Sequence, residues 1–364
     1  MGKKREKGID LGCVWLDKRT IHRRMLELEM HPPAVRGNLS AETWQKILDE
    51  EDVRLDTGYW VAGRLKCGLM DILHPRSLAQ ISEVIPLEGG DDGLRDWKAV
   101  RPISGQQKAS NGLTYFAWQL KHRDEKNRFA RGKRYELADF PTKEAKELAS
   151  YLSRHGDICN TLAKACRKTE SIDLFPTHIT TVRDVKDDTW WSLDEWIRGD
   201  DLELVLEAGV GSVADYPQMA KNIGRGLRVL HDVGVIYREL SPRTVIVTDR
   251  VAGSVVLTDF ELGKLLDGSP TVSGDWPENP YRAPEAENKE LSKSDFHVDL
   301  YSWGRIVTHA VCGELPSQGE EASLLDSAKL TPRVREIVMR CLDDDPRKRP
   351  QSADEVLKAI DRWR

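Results

Sequence analysis

The spacing of apolar residues along the chain predicts a strand-rich segment followed by a mainly helical one. Residues 112–140 read as two strands, LTYFAWQLKHR and KRYELADFP, on either side of the polar turn RDEKNRFARG. Two further strands are predicted at ITTVRDV and WWSLDEWI, with helical spacing over residues 143–168 between the two pairs. From Asp215 onward helical periodicity dominates. This order predicts an α+β fold.

The same reading gives elements at both ends of the chain. Near the N-terminus, apolar residues recur at helical intervals behind Ser40, whose hydroxyl suits the N-cap of a helix that begins at Ala41. In the second half, short strands are predicted at VIVT and VVLT. Helices are predicted around residues 297–313, 331–342 and 352–363.

Composition narrows the class of protein. The 364 residues allow two domains, and 55 basic against 60 acidic residues give a net charge of −5. That balance argues against a protein that coats nucleic acid through bulk positive charge. The chain has no apolar run long enough to cross a membrane, and its six cysteines lack zinc-ligand spacing. We therefore expect a cytoplasmic protein with reduced thiols.

A turn-rich stretch suggests where the chain divides. Residues 86–96, PLEGGDDGLRD, combine proline, paired glycines and acidic residues between more apolar segments. We expect a mainly helical N-terminal module at residues 1–96, with no sign of its role, and a second domain at 97–364.

Short motifs in the second domain occur in a fixed order. They are Leu193-Asp194-Glu195-Trp196-Ile197-Arg198-Gly199, Tyr237-Arg238-Glu239-Leu240-Ser241-Pro242-Arg243-Thr244-Val245, Asp259-Phe260-Glu261, Arg282-Ala283-Pro284-Glu285, Asp299-Leu300-Tyr301-Ser302-Trp303-Gly304 and Asp345-Pro346-Arg347-Lys348-Arg349-Pro350. Together they resemble the hinge, catalytic loop, metal-binding motif, end of the activation segment and supporting elements of eukaryotic-like Ser/Thr protein kinases. The resemblance implies a two-lobed fold, with a small lobe at 97–199 and a large lobe at 200–364.

The resemblance also assigns roles in phosphoryl transfer. It places Arg238 and Glu239 in the catalytic loop, with glutamate where the family has aspartate, and Asp259 as the metal-binding carboxylate. Ser241 stands where the family has a lysine or arginine that contacts the γ-phosphate. Thr244 replaces the asparagine that holds a second metal ion, and is a poorer ligand. Glu261 replaces glycine and adds negative charge beside the phosphates.

The expected nucleotide site is eroded in the small lobe. Gly105 and Gly112 are what remains of the phosphate-covering loop, and Ala138 aligns with the lysine that grips the phosphates. Asp194 falls at a wall of the adenine pocket. Two assignments stay open. One is which lysine, relocated to another position, would contact the phosphates, and the other is which glutamate would pair with it. The lysine candidates are Lys108, Lys121, Lys133 and Lys146, and the glutamate candidates are Glu147 and Glu144.

Residues that the family uses for structure are retained. Glu285 and Arg349 correspond to a buried ion pair, and Asp299 to the residue that caps the catalytic-loop backbone. In the activation segment, Ser269, Thr271 and Ser273 are better explained by a polar loop than by phosphorylation. Trp276 is the tryptophan there that we single out as a partner contact.

The intact scaffold and depleted chemistry favour a pseudokinase. Such a protein would regulate or scaffold a multi-protein system through a protein partner, with ATP and Mg²⁺ bound weakly or not at all. The alternative is an atypical Ser/Thr kinase that uses Glu239, Asp259 and a relocated lysine; another transfer reaction on a nucleotide ranks third. Compact spacing resembles bacterial members of the family. The partner, the pathway and the oligomeric state stay open.

Overall fold

The chain folds into two compact units. One comprises Met1–Gln107, Thr114–Glu136 and Val182–Trp191, and the other comprises Lys108–Leu113, Leu137–Thr181 and Ser192–Arg364. The division predicted at residue 96 stays a prediction. The computed structural model describes residues 13–67, 72–74, 85–87, 94–108, 114–136, 142–166, 172–184, 189–207, 216–266, 279–287, 295–317, 319–328 and 330–363.

The N-terminal segment builds a small core of its own. Its strands are β1 (Cys13–Trp15) and β2 (Asp52–Arg54), which pair antiparallel. Its helices are α1 (Lys18–Glu27), α2 (Pro32–Arg36), α3 (Ala41–Leu48) and α4 (Leu55–Arg64). Apolar residues from each of them are buried together, among them Val14, Ile21, Val35, Trp44, Ile47, Val53 and Val61. The mainly helical character predicted here is confirmed.

The predicted cap of α3 is confirmed, and its contribution can be measured. The Ser40 hydroxyl accepts a hydrogen bond from the Thr43 amide at 3.0 Å. We expect Ser40→Ala to lower the free energy of unfolding by about 1 kcal/mol, because the amide loses its partner. Urea unfolding measures this. Ser327→Ala is the control, since that hydroxyl donates to Leu324 at the end of a helix rather than capping a start; an equal loss in both variants would contradict the cap.

A six-stranded sheet forms the strand-rich part of the described chain, in the order β3-β4-β5-β6-β8-β7. Its strands are β3 (Ile85–Pro86), β4 (Trp97–Lys108), β5 (Thr114–His122), β6 (Phe129–Glu136), β7 (His178–Asp184) and β8 (Thr189–Glu195). The strand-rich segment that the sequence predicts is therefore confirmed, and with it the α+β class.

One boundary differs from the prediction. The turn predicted over residues 123–132 is shorter, and β6 begins at Phe129. The cause is His122, whose Nδ1 accepts the amides of Asp124 and Glu125 at 3.3 and 3.1 Å and so reverses the chain within a few residues. Gly132 is consequently a strand residue. A Cβ there would lie 2.8 Å from Leu120 Cδ1 and 3.0 Å from the Trp191 ring, so a larger residue would require these side chains to shift.

The helical part follows in the second unit. Its helices are α5 (Thr142–Cys166), α6 (Leu202–Glu207), α7 (Tyr216–Asp232), α8 (Pro284–Glu287), α9 (His297–Cys312), α10 (Glu321–Ser327), α11 (Pro332–Cys341) and α12 (Ala353–Ile360). Short strands lie between them, namely β9 (Asp200–Asp201), β10 (Val235–Ile236), β11 (Val245–Asp249), β12 (Ser254–Leu257) and β13 (Lys264–Leu265).

Helix α9 is the centre of this unit. Nearly all of its side chains are buried, and the Trp303 indole donates to the Ala220 carbonyl of α7 at 3.0 Å. A helix that is buried all round needs partners on every side, and here α7, α10 and α11 supply them. None of the helices in the described residues is both long and apolar enough to span a membrane.

Candidate functional site

A buried carboxylate organises the loop that follows β10. Asp299, on α9, is fully buried and accepts the amides of Tyr237 and Arg238 at 2.9 and 2.7 Å. Its Oδ2 also lies 2.9 Å from His231 Nε2. Backbone amides held by an ionised acceptor make strong, short hydrogen bonds. The loop from Tyr237 to Val245 therefore has its first two residues fixed to the helical core.

Two residues of the site have left-handed backbones. Arg238 has φ +68° and Asp259 has φ +64°, a region that side chains with a Cβ rarely adopt. Such residues persist where the surroundings over-determine them, and they cluster at functional sites. Both belong to the motifs that the sequence singled out.

Tyr237 ties the loop to the strand that precedes Asp259. It is fully buried, and its hydroxyl donates to the Thr244 carbonyl at 3.2 Å and lies on the Thr258 carbonyl. Burial, together with the carboxylates of Asp259, Glu239 and Glu261, raises the pKa of Tyr237 well above its ordinary value. The phenol stays protonated and acts as a fixed donor.

The hydroxyl of Thr244 is committed to the loop itself. It donates to the Glu239 carbonyl at 2.9 Å and accepts the Ser241 amide at 3.1 Å. The Ser241 hydroxyl in turn accepts from the Thr244 backbone, which completes a capping box over a single turn. Both hydroxyls that the sequence assigned to a nucleotide site are thus engaged in holding the loop closed.

Glu239 is buried and faces a cation. Its side chain is only 7% exposed, and its Oε1 lies 3.8 Å from Nη2 of Arg282, which is 6% exposed. A carboxylate buried with a guanidinium is stabilised in its charged form. Glu239, which aligns with the residue that accepts a proton from the substrate hydroxyl, therefore has a cationic partner within the protein.

Asp259 and Glu261 place two more acids in the same region. Their exposures are 7% and 5%, and Phe260 between them is fully buried against Tyr237, with ring centroids 5.0 Å apart. The chemistry of this donor set fits one divalent cation on Asp259, since carboxylate oxygen is the ligand that Mg²⁺ prefers. Thr244 offers no second ligand, because its hydroxyl serves the loop.

Glu285 and Arg349 form a bidentate ion pair in the second unit. Arg349 is fully buried; its Nη1 and Nη2 lie 2.6 and 2.9 Å from the two oxygens of Glu285, and it also donates to the carbonyls of Asp343 and His297. Four of the five N–H donors of the guanidinium are used, and additional hydrogen bonds of this kind are the condition under which a buried pair is favourable.

Asp194 lies in a buried polar cluster that the sequence reasoning missed. Its oxygens lie 2.9–3.0 Å from His155 Nε2 on α5 and 2.9 Å from His178 Nδ1 on β7. Burial raises the pKa of Asp194, but the two histidines outweigh it and hold the pKa well below the usual range. The carboxylate is therefore ionised, and each of the two imidazoles lies within hydrogen-bond distance of it. His155 and Cys159, four residues apart on the predicted helix, were the available signal.

The cluster continues an aromatic stack. The rings of His155 and Phe260 are stacked with centroids 5.7 Å apart, and His178 meets His155 edge-on at 5.5 Å. The Phe260 amide donates to His155 Nδ1 at 3.1 Å. Ring contacts therefore run from Tyr237 through Phe260 and His155 to His178.

The remaining predicted residues are only partly described. Gly105 lies within β4, whereas Gly112 and Ala138 fall outside the described residues, as do Ser269, Thr271, Ser273 and Trp276. Glu144 and Glu147 belong to α5, and Lys108 ends β4. Among the alternative lysines, Lys133 lies on β6 and is 4% exposed, with its ammonium 4.8 Å from the centre of the Tyr115 ring. Lys121 is exposed.

Comparison with known proteins relates the second unit to a large family. Residues 170–360, more than half of the chain, match the model of the protein kinase domain. Serine/threonine-protein kinase pkn2 of Myxococcus xanthus is 28% identical over 186 residues, which are 46% of this chain and 22% of that protein. Serine/threonine-protein kinase VIK of Arabidopsis thaliana is 28% identical over 190 residues, covering 47% and 43%. PknA of Mycobacterium tuberculosis is 28% identical over 181 residues, covering 46% and 41%. The chain spans less than half the length of each of these relatives.

Proposed function

Because the chain belongs to the protein kinase domain family, we propose that it is a pseudokinase, a kinase-like domain that regulates or scaffolds a protein partner without transferring phosphate. Members of this family generally use ATP and Mg²⁺. The observation that carries the proposal is that the Glu239 carboxylate and the Thr244 hydroxyl of the catalytic loop are engaged in contacts within the protein.

Two of these contacts remove separate parts of the reaction. Glu239 is buried beside Arg282, so it has no free access to a substrate hydroxyl, and proton acceptors must lie within hydrogen-bond reach of the proton they take. The hydroxyl of Thr244 closes the loop, so it does not hold a second cation. One acid of the family's metal-binding set, Asp259, remains. These losses support weak nucleotide binding and no turnover.

The buried Lys133 supports the alternative, an atypical Ser/Thr kinase. A lysine is almost never fully buried unless it is paired, and this one lies on β6, the strand that the sequence reasoning aligned with the family's lysine strand. An active site of this kind would use Asp259 and Glu239 together with a relocated lysine.

Nucleotide binding and transfer separate the two functions. We expect Mg²⁺-ATP to raise the melting temperature of the full chain by a few degrees at most, and Asp259→Asn to abolish that rise, because the cation loses its carboxylate. Asp232→Asn, an exposed change at the end of α7, is the control and retains the rise.

Transfer itself is measured with γ-labelled ATP, using the chain and a generic protein acceptor. We expect no label above background. Label that disappears in both Glu239→Gln and Lys133→Met, with Asp232→Asn still active, would overturn the pseudokinase proposal in favour of the kinase.

A further inference from the structure

The hydrogen bonds around His155 fix where its protons lie. The Phe260 amide can only donate, so Nδ1, at 3.1 Å, must accept and carries no hydrogen. Nε2 then carries the hydrogen and donates to Asp194 at 2.9–3.0 Å. His178 is ordered in the same way, donating from Nδ1 to Asp194 at 2.9 Å and contacting the Thr181 hydroxyl at 3.1 Å through Nε2.

This arrangement argues against a metal ion, although the ligand atoms of His155, His178 and Asp194 lie within 4.8 Å of one another. A metal on Nε2 of His155 would require the hydrogen on Nδ1. Ligating histidines normally donate that hydrogen to an acceptor. Here Nδ1 faces the Phe260 amide, which is another donor, so a bound metal would set two donors against each other.

A second proton on His155 would create the same conflict without any metal. Protonated imidazole is a donor at both nitrogens, so Nδ1 could no longer accept the Phe260 amide. The amide is buried behind the Phe260 ring, and a buried donor without a partner is unfavourable. The backbone beside Asp259, which already has a left-handed φ of +64°, would have to shift to find another acceptor.

We propose that His155 is a proton-dependent positioning residue, which holds the Asp259–Phe260 segment when neutral and releases it when protonated. The groups that face the imidazole are Asp194 on β8, His178 on β7 and Cys159 on α5, whose sulfur is 3.6 Å from Nε2. Because Asp194 is ionised, it favours the imidazolium, whereas the Phe260 amide favours the neutral ring. These two contacts therefore act on the pKa of His155 in opposite directions.

The charges around His155 favour its protonated form. Burial lowers the pKa of His155, but the charge of Asp194 outweighs burial and raises the pKa above the ordinary imidazole value. Burial raises the pKa of Cys159, so the thiol stays neutral beside the ring. A folded-state pKa above the unfolded one means that the contribution of His155 to stability is present below the unfolded pKa and is lost as the pH rises through the folded pKa. Protonation of His155 therefore does not by itself unfold the chain.

The test follows the Phe260 amide directly. Hydrogen exchange of the full chain, without nucleotide, gives the protection of that amide relative to its intrinsic exchange rate. As the pH falls through the titration of His155, we expect the protection of this amide in the unmodified protein to fall by about ten-fold, while the amides of α9 keep theirs.

Two substitutions at one position separate the acceptor from the donor. His155→Asn retains an oxygen near Nδ1 that cannot titrate, so we expect high protection at every pH. His155→Gln retains a donor toward Asp194 but no acceptor, so we expect low protection at every pH. His309→Asn is the control; this histidine contacts the Tyr281 hydroxyl elsewhere in the unit, and its loss leaves the pH profile unchanged.

Each outcome decides the matter. A protection that does not change with pH in the unmodified chain, or a His155→Asn variant that still titrates, overturns the proposal; so does a His309→Asn variant with a flat profile. If His155→Gln does not fold, the His155→Asn profile decides alone. Any effect on nucleotide binding rests on the proposed function, whereas the exchange measurement contains no nucleotide, so either can fail without the other.

Discussion

Replacing Arg349 with methionine is expected to destabilise the second unit by about 3 kcal/mol, the lower end of the usual consequence of removing one partner of a buried ion pair, because Arg349 is fully buried whereas the Glu285 side chain is 30% exposed. Methionine retains much of the volume, so the loss comes from polar groups. Glu285 keeps its charge with no partner, and the carbonyls of Asp343 and His297 lose their donors. The Tyr301 ring also loses the guanidinium that lies 4.9 Å from its centre. Urea unfolding followed by tryptophan fluorescence measures the change.

The matched control is two residues away. Arg347 is 89% exposed and pairs with Asp345 on the surface. Exposed pairs contribute little, so Arg347→Met should change the free energy of unfolding by less than about 1 kcal/mol. If both variants lose the same stability, the pair between Glu285 and Arg349 is not what stabilises this region.

Replacing Asp299 with alanine is expected to destabilise the unit by about 3 kcal/mol or more. The carboxylate is fully buried and accepts two amides of the catalytic loop, and each buried donor left without a partner costs roughly 1–3 kcal/mol. Asp299→Asn should lose less, because one carbonyl oxygen still accepts from one amide. Thermal unfolding of the variants gives the order, and hydrogen exchange at Tyr237 and Arg238 reports whether the loop has come loose.

Asp295→Ala is the control for that series. Asp295 also accepts a backbone amide, that of His297, but its side chain is 56% exposed, so water can replace it. We expect a loss of about 1 kcal/mol, as for other exposed caps. A loss in Asp299→Ala no larger than this would contradict the role of Asp299 as the anchor of the loop.

Local pattern was sufficient to predict many elements of the fold. The hydroxyl of Ser40, the aromatic and β-branched residues of β5 and the helical spacing of α9 each act over a few residues, and each element formed where it was expected. The start of β6 was placed too late, because a histidine side chain, His122, closes the turn. Turns closed by side chains other than Asx and Ser/Thr have weak sequence signatures.

The candidate site was less predictable, because its contacts join distant parts of the chain. Motif order identified Glu239 and Asp259 but gave no hint that Arg282, 43 residues after Glu239, would lie beside it. Asp194 was expected to place an unpaired negative charge at a nucleotide pocket, whereas its oxygens lie within hydrogen-bond distance of His155 and His178. A carboxylate's partners are set by tertiary packing, which spacing along the chain does not encode.

The capping box of the catalytic loop makes the loss of the second metal ligand hard to reverse. The Thr244 hydroxyl holds its own loop closed through hydrogen bonds. An asparagine at this position would have to give up those hydrogen bonds before its side chain could turn toward a cation. Restoring the family's residue would thus first weaken the loop, and a second change would be needed to close it again. A single substitution at Thr244 therefore does not restore the second metal ligand and keep the loop closed.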